Sequence, residues 1–220
     1  MTILTTVERP AASGTANSLV IFLHGYGADA EDLIGLAEPL APHLPNTQFL
    51  APNAPDPCAN NPMGFQWFPI PWLDGSSPVA AETAAQRSFG LLDHWLDEVA
   101  EEGFAPARTI LFGFSQGTMM ALQVGLRRKE PLGGIVGFSG RLLRPERLVT
   151  EVTSPTPVLL VHGDADPVVP FEHLSEAAEH LTEAGIDTYT HVSRGTAHGI
   201  APDGLSQALH FIRQRLAISG

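Results

Sequence analysis

The sequence predicts an α/β fold, a mostly parallel central sheet with helices on both faces, built as a single domain over residues 1–220. Two observations carry that expectation. Short apolar runs, too short for helices, recur along the chain, and the longer stretches between them place apolar residues at helical spacing. A third is negative: no repeat, low-complexity stretch or linker divides the chain.

The elements follow in order. Residues 19–23 (LVIFL) form an unbroken apolar run, the signature of a strand buried on both faces. Residues 47–51, 109–112, 135–138, 158–161 and 188–192 read as further strands. Between them, Ala85, Phe89, Leu92, Leu96 and Val99 step by four, three, four and three, which puts them on one face of a helix. Leu174, Ala177, Ala178 and Leu181 do the same, as do Leu205, Ala208, Leu209, Ile212 and Leu216. Residues 52–78 break the rhythm. This stretch is rich in proline, glycine and asparagine and carries Phe65, Trp67, Phe68 and Trp72. A loop of that length inside a compact domain is usually functional, so Trp67 and Phe68 are expected to contact substrate.

Composition narrows the function. Apolar residues make up 44% of the chain and charged residues 16%, as in globular proteins. Twenty-four acidic residues against 12 basic ones give a formal charge of −12, which disfavours nucleic acid and anionic lipid as partners. Cys58 is the single cysteine, so no intrachain disulfide forms. The first residues lack a basic segment followed by an apolar run, and no apolar stretch reaches the ~18–20 residues that span a bilayer. A cytoplasmic protein is expected, and the surface leaves a homodimer through the loop aromatics open.

Gly113-Phe114-Ser115-Gln116-Gly117 directly follows the strand at 109–112 and precedes the helical stretch 118–128. A strand turning sharply into a helix strains the central residue and demands small neighbours two positions away on either side. This is the nucleophile elbow of the α/β-hydrolase fold, with Ser115 as nucleophile and the Gln116 N–H at a helix N-terminus ready for an oxyanion. A serine hydroxyl needs a histidine base held by a carboxylate, in the order Ser, acid, His. Among nine histidines, His198 lies between the last strand and the last helix, where a base is presented. The acid should leave the strand at 158–161, in His162-Gly163-Asp164-Ala165-Asp166-Pro167. By spacing, Asp164 and Asp166 both qualify. Pro167 favours Asp166 by holding it extended, while Asp164 suits bracing the turn. His162, Asp164 and Asp166 would converge poorly on a metal ion, and none is expected. Leu23-His24-Gly25-Tyr26-Gly27 ends the first strand and suits the second oxyanion donor. His24, upstream of Ser115, fits a brace better than a base.

Together, LHGYG, APNAP, Trp67-Phe68, GFSQG, HGDADPVVP and Ala197-His198-Gly199 resemble, in order, the phospholipase/carboxylesterase family, over about residues 19–216. That resemblance implies a serine esterase without a separate lid domain and without a cofactor. It assigns Ser115, Asp166 and His198 to the triad and the N–H groups of Tyr26 and Gln116 to the oxyanion hole. The implied partner is a small ester or acyl compound. Long-acyl thioesterases and lysophospholipases share the pattern, and a non-catalytic binding module would be expected to have lost a triad member. Departures are Thr118 where relatives often carry glycine, Tyr26 in place of leucine, and residues 68–77, which do not follow the thioesterase pattern.

Overall fold

A computed structural model describes residues 4–218. Strand β1 (Thr6–Arg9) is followed by β2 (Ser18–Leu23), the short helices α1 (Ala30–Ile34) and α2 (Ala37–Leu40), and β3 (Thr47–Pro52). The proline-rich segment is not one loop. It contains strands β4 (Asp56–Cys58) and β5 (Asn61–Gln66), paired as an antiparallel hairpin, then the single turn α3 (Pro71–Asp74). Long helix α4 (Pro78–Glu101) leads to β6 (Thr109–Phe114), α5 (Gln116–Gly125) and β7 (Gly134–Phe138). The remainder alternates as α6 (Leu148–Glu151), β8 (Val158–Gly163), α7 (Glu172–Glu183), β9 (Thr188–Ser193) and α8 (Pro202–Arg215).

Seven strands form one sheet in the order β1-β3-β2-β6-β7-β8-β9, all parallel except β1, which runs against β3. The burial of β2 shows why its sequence is continuously apolar. Leu19, Ile21 and Leu23 pack towards α4, α5 and α7, whereas Val20 and Phe22 pack towards α1, α2 and α8. Alternate side chains of a strand face opposite ways, so a sheet covered on both faces has no polar side to show. On the second face Phe112 meets Phe22 edge-on and stacks on Phe138 at 5.1 Å, carrying the core across three strands. Fully burying one such ring contributes about 1.5–3 kcal/mol.

Helix α4 buries the stripe its spacing predicts: Ala85, Phe89, Leu92, Leu96 and Val99. Its start is set by the Ser77 hydroxyl, which accepts from the Ala80 N–H, and by Pro78 in the first turn. The hairpin leans on the loop after β2. Gly27 N–H donates to the Phe65 carbonyl and Phe65 N–H to the Ala28 carbonyl, each at 2.8 Å. A Cβ on Gly64 would stand 2.0 Å from the Gly27 carbonyl oxygen, so only glycine allows this approach.

Candidate active site

Ser115 sits between the last residue of β6 and the first of α5 with φ 52° and ψ −114°. A positive φ costs a serine about 1–3 kcal/mol, so the surroundings must impose it. Its N–H donates to the Phe138 carbonyl at 2.8 Å, and its carbonyl accepts from the Thr118 and Met119 N–H groups at 3.0 and 3.3 Å. The flanking glycines leave no alternative. A Cβ on Gly117 would lie 1.8 Å from the Leu23 carbonyl oxygen, and one on Gly113 would lie 2.4 Å from the Thr118 nitrogen. Thr118, the departure noted in the sequence, fits because its hydroxyl donates to the Phe138 carbonyl at 2.8 Å. Its methyl fills space that Cβ atoms on Gly137 and Gly140 would need.

His198 is brought to the elbow by the loop after β9, with its ring centroid 4.9 Å from that of Phe114. Its Nδ1 is 2.8 Å from Asp166 Oδ2. Carboxylate oxygens accept, so the proton is on Nδ1 and Nε2 is left as the basic nitrogen. The Asp166 carboxylate is fully buried, and its Oδ1 accepts from the Val168 and Val169 N–H groups at 2.8 and 3.0 Å. Burial pushes this carboxyl up, but the hydrogen bonds from His198, Val169 and Val168 outweigh it and hold it below the usual carboxylate range. His162, weighed in the sequence only as a metal ligand, stands instead with Nε2 3.3 Å from Asp166 Oδ2. Asp164 takes the other role open to it: Oδ1 accepts from the Gly195 N–H at 2.6 Å, tying the turn after β8 to the loop that carries His198.

The loop after β2 passes against the elbow, where a Cβ on Gly25 would be 3.3 Å from Ser115 Cβ. His24 fixes that loop. Its Nε2 accepts from the Ala54 N–H at 2.9 Å, so Nδ1 holds the proton and donates to the Gly25 carbonyl at 2.7 Å. Burial pushes His24 below the ordinary imidazole range, partly offset by the Gly25 hydrogen bond and by Asp29 and Asp32. Gln116 begins α5, where a first-turn N–H has no intrahelical acceptor. Its side chain is bidentate to the preceding segment, accepting from Trp67 N–H at 2.9 Å and donating to the Phe68 carbonyl at 2.8 Å. Among the described residues, no group of three or more His, Cys, Asp or Glu side chains is arranged to hold a metal ion.

The profile of the phospholipase/carboxylesterase family matches residues 6–216. The chain belongs to this family. Curated relatives include acyl-protein thioesterase 1 of Gibberella zeae, 30% identical over 94% of each chain. Another is esterase YpfH of Escherichia coli, 27% identical over 90% of this chain and 83% of that one. Among solved structures, esterase PE8 is 47% identical, with a TM-score of 0.91 over 97% of this chain and 99% of that one. SOBER1 of Arabidopsis thaliana is 25% identical with a TM-score of 0.79, over 91% and 100% of the respective chains. The protein is therefore a hydrolase of the serine hydrolase superfamily with the α/β-hydrolase fold.

This member of the phospholipase/carboxylesterase family carries a cavity of about 270 Å³ between α3, α4 and the loop after β7. Phe68, Ile70, Trp72, Phe89 and Leu143 give it apolar walls, and Arg141 and Arg144 edge it. Arg144 is paired with Glu82, and the Arg141 guanidinium lies 5.8 Å from the Trp72 ring centre. The two aromatics expected at the substrate part company here. Phe68 lines the cavity, but Trp67 is completely buried, so its placement corrects the expectation that it touches a ligand. Its indole N–H donates to the His24 carbonyl at 3.0 Å, making it a brace beneath the loop after β2. Tyr26 points its hydroxyl to Asp74 Oδ2 at 3.3 Å, and burial, with Cys58 and Asp74 nearby, pushes the phenol above its ordinary range. Ser139, just past β7, has a positive φ of 47° beside the Phe138 carbonyl that anchors Ser115.

Proposed function

We propose that this hydrolase is a carboxylesterase working through an acyl-enzyme on Ser115. The observation that carries the reading is the buried Asp166 carboxylate bonded at 2.8 Å to His198, whose ring packs on the residue before the strained Ser115. His198 Nε2 takes the Ser115 proton as Oγ bonds to the ester carbonyl carbon. The oxyanion so formed rests on the N–H groups of Tyr26 and Gln116. Collapse breaks the C–O bond to the alcohol, which leaves with the proton from His198. Water, deprotonated by the same nitrogen, then attacks the acyl-enzyme and releases the acid.

Two features support an ester substrate that fits a modest cavity. The cavity of about 270 Å³ falls just below the ~300–1,000 Å³ common for drug-sized ligand clefts. The 47% identical structure is an esterase. The thioesterase and lysophospholipase reading rests on the 30% identity to acyl-protein thioesterase 1. A p-nitrophenyl ester series of increasing acyl length decides between them: kcat/KM should peak at short acyl groups, and a rise towards long chains would transfer the assignment. Ser115→Ala should cost about 10⁴-fold or more in kcat and abolish labelling by a fluorophosphonate. Among the described residues no helix is long and apolar enough to cross a membrane, and the reading takes a cytoplasmic setting with no cofactor.

A further inference from the structure

Resting on that reading of the triad, the geometry points to a fourth member of its machinery. We propose that His162 is a positioning residue for Asp166, standing against the carboxylate oxygen that His198 uses and drawing off part of the charge that Asp166 presents to His198. His162 Nε2 is 3.0 Å from the Val169 carbonyl, which can only accept, so Nε2 carries the proton and Nδ1 is bare. The same Nε2 lies 3.3 Å from Asp166 Oδ2, the oxygen that His198 uses. The other oxygen, Oδ1, is held by the Val169 N–H at 3.0 Å. The imidazole therefore stands against Oδ2 and fixes the Val169 carbonyl, while the Val169 N–H separately holds Oδ1. Both side chains are almost fully buried, 2% and 0% exposed, where such contacts are weakly screened.

The groups that face His162 are few. Asp166 and His198 lie on one side, the Phe171 ring meets it edge-on at 6.1 Å, and His173 and Arg141 share with it a cavity of about 10 Å³. His173 is turned to Glu176 at 2.7 Å. Burial pushes His162 below the ordinary imidazole range, against the pull of Val169 and Asp166, so it stays a neutral donor while His198 cycles its proton. A donor on Oδ2 competes with His198 for the carboxylate charge. Removing it should leave the His198 imidazolium better stabilised, so that less of His198 is free base at a given pH.

The test is the pH profile of kcat/KM for a short p-nitrophenyl ester, with active enzyme counted by fluorophosphonate titration. His162→Leu should lower kcat about 10- to 100-fold, the loss typical when a group orienting a reactive ligand is removed from metal sites. KM should change little, and the acidic limb should move up by about half a pH unit. His162→Gln, whose Nε2–H reaches a similar point, should restore most of kcat and return the limb. A His162→Leu variant that is merely less stable, with wild-type kcat per titrated site and an unmoved limb, would overturn the proposal. If that variant does not fold, imidazole ¹⁵N spectra of the wild type decide. His162 should be neutral with its proton on Nε2 throughout the acidic limb, and a proton on Nδ1 instead would refute the arrangement. Asp166→Asn is the control. Should it keep wild-type kcat, the triad reading itself fails; should it collapse while His162→Leu does not, only this inference fails.

Discussion

Gln116 does two separable things, one with its backbone and one with its side chain. The N–H at the start of α5 belongs to the peptide and survives any substitution, whereas the carboxamide clamps Trp67 N–H and the Phe68 carbonyl. Gln116→Ala should therefore leave most of kcat and act on KM, because Phe68 loses its tether at the cavity wall. It also strands buried polar groups, at about 1–3 kcal/mol each. A lower urea midpoint together with a raised KM is expected; an unchanged midpoint would mean the clamp contributes nothing. Asp166→Asn should cost about 10⁴ in kcat, since an amide N–H facing His198 Nδ1 forces the wrong tautomer. That Ser115, Asp166 and His198 come together was legible because their order and the flanking glycines are dictated by local backbone constraints. Trp67 was not. An aromatic in a proline-rich stretch reads the same whether its ring lines a cleft or braces it from below, and only the indole bond to the His24 carbonyl tells them apart.

At the scale of elements, what was legible depends on how much of each is buried. Strand β2 and helix α4 were readable because the core imposes an unbroken apolar run on one and a stripe on the other. Strand β1 (TVER) is a half-exposed edge with two charged residues, and the β4–β5 hairpin contains Pro57 and Pro62, so neither shows a strand pattern. Yet that hairpin holds the loop after β2 in place. Gly64→Ala would push a methyl into the Gly27 carbonyl and displace the Tyr26 N–H, so kcat should fall by about 10²-fold, as when one oxyanion donor is lost. Retention of kcat would separate the hairpin from the chemistry. Gly90 offers the opposite case. It lies exposed inside α4, and a methyl added there would meet nothing within 4 Å, so Gly90→Ala should raise stability by about 0.5–1 kcal/mol without touching kcat. The urea midpoint checks it.

For the whole molecule, the parallel sheet sets the terms on which it answers to pH. Its strands end at one edge, and two histidines are buried there, His24 just after β2 and His162 within β8, each neutral and each anchoring a peptide of the site. Burial holds both below the ordinary imidazole range, while in the unfolded chain both titrate near pH 6.5. Below about pH 6.5 the unfolded state therefore binds protons that the native state refuses, so stability falls as pH falls, by up to about 1.4 kcal/mol per pH unit for each group. Asp166 and Asp74, both held below the usual carboxylate range, add their own loss only at still lower pH, as they become protonated. Urea unfolding at pH 7.5 and 5.5 should show a clear loss at the lower value. His24→Asn, less stable throughout, should show a shallower dependence because one of the two proton sinks of the unfolded state is gone. Equal slopes for the two proteins, or a wild type that gains stability on acidification, would mean that His24 is not held neutral in the fold. Activity and stability would then fail in acid for separate reasons, with the loss of stability seated elsewhere in the structure.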